Sequence, residues 1–287
     1  RVARLEYCSR DWNDHPLTAI STGQVEAWKT ERLKSGRRPA TVHRDLADLS
    51  AALSHAVRLE HLLSNPVHRV QKPRLDRTPN VRFLDPDEEQ ALRSALRERD
   101  RKLEAARDSA NGWRRERHYT PMPRLEHYGD HLTPAVLVSM NTGLRRGELL
   151  GLRWADVSFR LALLSIHAAS AKTGQTRHLP LNPEALAVLK RWRDQCGGAQ
   201  PTDTVFPVTT SFKTAWSAVL KSAGITRFRW HDLRHHFASR LVQVGVSLNT
   251  VRELLGHSSL ATTLRYAHLG PDQKREAVAL LTEQDAT

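Results

Sequence analysis

Six residues in this chain have the side-chain types that a phosphodiester transfer requires: Arg145, Lys172, His231, Arg234, His257 and Tyr266. Such a reaction needs a nucleophile, charge stabilisation on the phosphate and a proton for the leaving oxygen, and its catalysis is mainly positioning and electrostatics. A phenol such as Tyr266 attacks phosphorus and also leaves it, so the step is reversible; its ordinary pKa of about 10 means that nearby cations must help it ionise. Arg145 and Arg234 can each offer a planar fork to phosphate oxygens. His231 and Arg234, three residues apart on one helix, share a face. Lys172, on a turn, can protonate the leaving 5′ oxygen. His257 follows Gly256 at the junction of two short helices, where it can hold a phosphate oxygen or steer the tyrosine. Taken singly, each has an ordinary structural explanation: a half-buried core tyrosine, solvated arginines, a polar hairpin tip, satisfied histidines.

The weight lies in the order. Thr142-Gly-Leu-Arg-Arg-Gly-Glu-Leu149, Ala171-Lys-Thr-Gly174, His231-Asp-Leu-Arg-His-His-Phe-Ala238, Leu255-Gly-His-Ser-Ser259 and Leu264-Arg-Tyr-Ala-His268 follow one another along the chain. Together they resemble the tyrosine recombinases, also called the phage integrase family, whose pattern is Arg, Lys, His-x-x-Arg, His and Tyr. Every member is present here, with nine residues from His257 to Tyr266. The resemblance covers nearly the whole chain. Within it, Glu148 is expected to orient Arg145 through a charge-assisted hydrogen bond. His235 and His236 extend a histidine-rich run that invites a metal-site reading; the match to His-x-x-Arg argues against one, and no metal ligand is assigned. Family members often carry a small polar residue where this chain has His236.

The elements that must position these residues read as mainly helical with a small antiparallel sheet. Ser21 and Gln24 have capping-box spacing, with Val25 and Trp28 on one face and Gly36 to end the helix. A second helix runs from about Thr41, with Val42, Leu46, Leu49, Leu53 and Ala56 at the helical period, and finishes before Asn65-Pro66. Residues 1–70 are expected to form a small helical domain whose beginning looks truncated, and residues 71–80 a basic linker with two prolines. The second domain, residues 81–287, opens at Asp85-Pro86-Asp87-Glu88, a capping box with proline at the first helical position. Leu92, Leu96 and Leu103 mark its buried face. Residues 99–131 read as polar and irregular, an insertion or a mobile loop. A buried helix starts at Thr133-Pro134, strands fall at 161–168 and 177–181 around a hairpin at 172–176, and helices follow to the end of the chain. Trp154, Trp192 and Trp216 are assigned to the core.

Composition fits this chemistry. Lys and Arg number 44 against 31 Asp and Glu, a net charge of +13, which favours a polyanion partner. The surplus is not confined to a tail, since residues 1–80 alone hold 14 basic and 9 acidic residues. Two cysteines, Cys8 and Cys196, provide no disulfide framework or zinc motif and read as thiols in a reducing compartment. No apolar run approaches membrane-spanning length. Arg37, Arg38, Thr41 and Arg44 cluster at the start of the second helix, where basic neighbours suit a phosphate or a major groove as well as an ordinary solvated helix end; Arg146 is a further DNA-contact candidate.

The resemblance implies more than the residues do alone. It implies a two-domain clamp on double-stranded DNA, made of a SAM-like helical core-binding domain and an α+β catalytic domain. It implies a 3′-phosphotyrosyl intermediate, no cofactor, and action as a homotetramer on two sites. Accessory DNA-bending or directionality proteins, an arm-binding domain ahead of Arg1, and a cytoplasmic location at the bacterial nucleoid belong to the same expectation. The segment from Pro271 to Leu281 reads as a short amphipathic helix that docks on a neighbouring subunit. Three rivals share part of the pattern: a type IB topoisomerase, which religates the same strand; a DNA-binding protein that no longer cuts; and a metal-dependent nuclease, which chelators would silence.

Overall fold

The structure, a computed structural model, describes residue 12 and residues 16–75, 81–167, 176–207 and 212–270. The chain divides into two compact units, Arg1–Thr78 and Pro79–Thr287.

In the first unit, a short 3-10 turn, Leu17–Ala19, precedes α1, Thr22–Lys34, and α2, Pro39–Arg58. The α1 start is the capping box expected from Ser21 and Gln24. Helix α2 begins two residues earlier than its apolar period indicates, because Pro39 takes the first helical position, where its missing N–H costs nothing. Val25, Trp28, Val42, Leu46, Leu49, Leu53 and Val67 close one core. Arg32 and the buried Asp45 bridge the two helices at 2.8 Å. A 3-10 turn, Pro66–Arg69, is capped by the buried Asn65, whose amide also donates to Ser50 O and Ser54 Oγ, both at 2.8 Å.

The second unit opens with α3, Pro86–Glu116, capped by Asp85 with Glu88 completing the box. Residues 99–116, read from sequence as irregular, continue this helix. Their few apolar side chains give no visible stripe, yet Arg, Lys, Glu and Ala are good helix formers, and the returning chain is tied onto the helix. Buried Asn111 donates to Met122 O at 2.9 Å and accepts from Met122 N at 2.7 Å, and Arg107 donates to Pro123 O at 2.7 Å. Next come α4, Leu132–Thr142, which ends on Gly143 in the left-handed region (φ 61°), and the single-turn α5, Arg146–Leu150.

A 3-10 turn at Trp154–Asp156 leads into an antiparallel sheet of β1 (Val157–Ser158), β2 (Leu163–Ile166) and β3 (Arg177–Pro180), in the order β1-β2-β3. The two-residue β1 was not foreseen, being too short to show a period. The register pairs Leu164 with Leu179 and Ile166 with Arg177. The sheet is followed by α6, Pro183–Cys196, α7, Phe212–Ser222, α8, Asp232–Gln243, α9, Leu248–Leu255, and α10, Leu260–Thr263, then a 3-10 helix at Leu264–Leu269. The main core runs from Leu92 and Leu132 through Leu149, Leu164 and Trp192 to Trp216 and Leu233, and Trp154 joins it as expected. A smaller core of Ala238, Val242, Val251, Leu255 and Tyr266 packs α8, α9 and the last 3-10 helix together. Among the described residues no helix is long and apolar enough to cross a membrane.

Candidate active site

Two helix C-termini build the centre of the site. The last carbonyls of a helix have no partner within it and carry the negative end of its dipole. Arg234, on the first turn of α8 and 2% exposed, donates to Gly143 O at the end of α4 (2.7 Å) and to Leu255 O at the end of α9 (2.5 Å). Arg145, the residue that precedes α5, donates to the neighbouring carbonyl, Gly256 O, at 3.1 Å. Gly256 also ends its helix in the left-handed region (φ 62°). A Cβ on Gly143 would lie 2.5 Å from the Phe237 ring, so both the φ and the approach of α8 require glycine there.

The buried Glu148 hydrogen-bonds to Arg145 and to a second arginine. Its carboxylate accepts from the Arg145 backbone N–H (2.9 Å) and guanidinium (2.7 Å), and also from both terminal nitrogens of Arg177 on β3 (3.1 and 2.8 Å). Burial pushes its carboxyl upward, but the hydrogen bonds from Arg177 and Arg145 outweigh it and hold the group below the usual range. Arg177 was missed in the sequence. The available signal was its place two residues from buried Leu179, which puts both on one face of β3.

Positive charge dominates the rest. Burial, followed by the nearby Arg145 charge, draws the Arg234 pKa down to about 9. A guanidinium stays charged at neutral pH, so an anion arriving beside Arg234 would offset the cost of burying that cation. His257 lies just past α9, with Nδ1 2.9 Å from Thr263 Oγ1. Burial, then Arg234 and Arg145, lower its pKa to about 3, leaving it neutral. His231 immediately precedes α8; burial and Arg234 lower its pKa too. Tyr266, on the last 3-10 helix, is 1% exposed. Burial raises its phenol above the ordinary value, while Arg234 and Arg265 pull the other way.

The Tyr266 hydroxyl lies 2.6 Å from Nδ1 of His235. His235 was read in the sequence as part of a structural run; the missed signal is that it stands four residues after His231 and beside Arg234 on the same helix face. His236 points elsewhere, with Nδ1 accepting from Leu84 N at 3.3 Å and Nε2 3.4 Å from Glu89. Among the described residues, no group of three His, Cys, Asp or Glu could hold a metal ion. Arg145, His231, Arg234, His257 and Tyr266 therefore gather with Glu148. Arg146 is exposed beside them. Lys172 lies outside the described residues. Arg37, Arg38 and Arg44 are exposed and Thr41 half-buried, all on the first unit.

The sequence pattern of the phage integrase family matches residues 127–273, more than half of the chain and the stretch that holds this entire site. The chain belongs to that family. It is 34% identical to the integrase of Salmonella phage P22 over 53% of its own length and 43% of that protein, and 27% identical to a tyrosine recombinase of Pseudothermotoga lettingae over 95% of its own length and 86% of that protein. It spans about half or less of the first curated relatives it matches. Among solved structures, the Tn1549 transposon integrase in complex with a circular intermediate DNA superposes with a TM-score of 0.69 at 18% identity, covering 99% of this chain and 92% of that one. A lambda integrase dimer bound to a COC′ core site gives a TM-score of 0.64 at 21% identity over 91% and 87%. The fold of this phage integrase family member is thus that of the DNA-bound integrases.

Proposed function

We propose that this family member is a site-specific DNA recombinase that cuts and rejoins duplex DNA through a 3′-phosphotyrosyl link, in integration or excision of a mobile element. The observation that carries the reading is the meeting of Arg145 and Arg234 on adjacent carbonyls at the end of α9, where both act on His257 and Arg234 acts on Tyr266. The two guanidiniums bind the scissile phosphate; neutral His257 donates to one of its oxygens from Nε2. Tyr266 attacks phosphorus, the bond to the 5′ oxygen breaks, and Lys172 protonates that oxygen. The 5′-OH of a partner strand later attacks the phosphotyrosine and releases Tyr266. Bond energy is kept in the covalent intermediate, so the scheme calls on no nucleotide cofactor.

Within the same proposal, the first unit is a core-binding domain that contacts DNA through Arg37, Arg38, Thr41 and Arg44, and Arg146 touches the backbone near the break. The chain works as a tetramer on two sites, a reading supported by its likeness in fold to a lambda integrase tetramer bound to a Holliday junction. It acts in the cytoplasm, on the nucleoid. The test is covalent-adduct capture: the protein and its Tyr266→Phe variant are expressed with host and element DNA, denatured in chelator, and the linked DNA ends are sequenced. Adducts at one recurrent sequence that vanish in the variant are expected. Adducts without sequence preference indicate a topoisomerase, and DNA binding without any adduct sinks the reading.

A further inference from the structure

The Tyr266 hydroxyl must lose a proton to attack phosphorus, and of the two histidines at the start of α8 that could take it, His231 and His235, it is His235 that the hydroxyl meets. Arg145 and Arg234 are cations with no lone pair to offer. His257 spends Nδ1 on Thr263, and Lys172 is committed to the leaving oxygen. Among the described residues, the group in hydrogen-bond contact with the hydroxyl is His235, at 2.6 Å through Nδ1. Its ring centroid lies 5.8 Å from that of Tyr266 and 5.1 Å, edge-on, from that of His231. His235 is 9% exposed on a helix whose next turn packs into the core that includes Tyr266 itself, so the ring has little freedom to turn away.

We propose that His235 is the proton acceptor for Tyr266. As the phenol oxygen bonds to phosphorus, its O–H bond breaks and the proton passes to Nδ1, giving an imidazolium. The P–O bond to the 5′ oxygen breaks, and that oxygen takes its proton from Lys172. In the return step the 5′-OH attacks, its proton goes back to Lys172, and the departing tyrosine oxygen recovers the proton held on His235. No proton is lost to bulk solvent in the cycle. The inference rests on the phosphotyrosyl reading above.

The electrostatics of the empty site keep His235 unprotonated and at the same time weaken it as a base. Burial, then His231, lowers the His235 pKa to about 4, so its lone pair is free at neutral pH. The charged and titratable groups around it are His231, Asp232 and Arg229 at the start of its own helix, Arg265 beside Tyr266, and His257 past α9. Arg229 and Arg265 are the cations among them, and together with burial they keep the ring unprotonated while the site is empty. A phosphate dianion-like transition state between Arg145 and Arg234 offsets that field at the moment the proton must be accepted.

The experiment is single-turnover adduct formation by the full chain on a nicked duplex carrying the sequence recovered by adduct capture. Two versions of the scissile bond are compared, one ordinary and one with sulfur in place of the 5′ oxygen. A thiolate leaves without a proton, so the second version relieves a missing acid but not a missing base. His235→Asn accepts a hydrogen bond and cannot take the proton. The expected result is adduct formation slowed about 10²–10⁴-fold on both bonds, rising with pH as the phenol ionises unaided, at unchanged DNA retention and circular dichroism. Lys172→Ala is slow on the ordinary bond alone. A His235→Ala variant regains rate with added imidazole. Adduct formation by His235→Asn within threefold of the parent overturns the proposal, as does rescue by sulfur or a defect that neither pH nor imidazole alters. A Tyr266→Phe variant that still forms adducts, or a parent protein that forms none, brings down the phosphotyrosyl reading first and His235 with it.

Discussion

Replacing Glu148 by glutamine tests the electrostatic frame of the site in a way that stability and activity report separately. The carboxylate has a side chain 1% exposed and accepts four N–H groups from Arg145 and Arg177. A glutamine keeps the shape but offers one acceptor oxygen, turns an amide donor toward a guanidinium and leaves two cations without their anion. Removing one member of a buried ion pair costs about 3–5 kcal/mol. The low end applies, about 3 kcal/mol, because the Arg145 side chain is still 21% exposed and water screens its share. With a urea slope of about 3 kcal/mol/M, the unfolding midpoint falls by about 1 M. In DNA cleavage by the folded variant, kcat falls with little change in binding, since Arg145 is displaced rather than lost. The sign in pH follows from the depressed folded pKa. The Glu148 contribution is complete above the ordinary value of 4.5 and disappears as acid takes the pH down through the folded value. The gap between parent and variant is therefore constant from pH 8 to about 5 and closes below 4.5. A midpoint shift equivalent to under about 1 kcal/mol at pH 7, the value typical of an exposed pair, would refute the reasoning.

Other perturbations probe separate parts of the molecule. Gly143→Ala is expected to cost about 2–4 kcal/mol in urea unfolding, combining left-handed backbone strain with overpacking against Phe237 and Leu255; a loss under 1 kcal/mol would mean the helices part freely there. His257→Gln should flatten acid destabilisation: the folded pKa of about 3 lies below the ordinary 6.5, so the parent's contribution is lost as pH falls below 6.5, and a pH series of urea midpoints should drop less in the variant. Asp85→Ala removes the α3 cap and should cost about 1 kcal/mol, readable as a lowered melting temperature. DNA affinity should fall linearly in log–log form with salt, and Arg37→Ala should reduce that slope by about 1 if Arg37 meets a phosphate.

Most of the residues that meet at the candidate site could be singled out in the sequence because they are spaced along short, well-punctuated elements. Ser21 with Gln24 and Asp85 with Glu88 announced helix starts, and Gly36 and Gly256 announced helix ends, each through a local rule. The failures have local causes as well. Residues 99–116 lack an apolar stripe, so their helix is set by propensity and by the chain folding back through Asn111, which no periodicity reveals. Arg177 and His235 act through contacts with residues 29 and 31 positions distant. A sequence places them on the right face of a strand or helix but does not name the partner. Lys172 and the segment from Pro271 onward lie outside the described residues, and their assignments stand on the sequence alone.

The partners chosen for the two central arginines differ in kind. Arg234 is held by two peptide carbonyls, neutral groups that never titrate, whereas Arg145, besides its bond to Gly256 O, shares one carboxylate with Arg177. The first arrangement fixes a cation while leaving its whole charge for an incoming anion; the second surrenders part of that charge for tighter placement. Acid should therefore dismantle the site in sequence, releasing Arg145 as Glu148 protonates while Arg234 stays seated. A protein taken down through that range should pass through a form that still grips a phosphate with one arginine and no longer positions it for attack, so that binding outlives cutting.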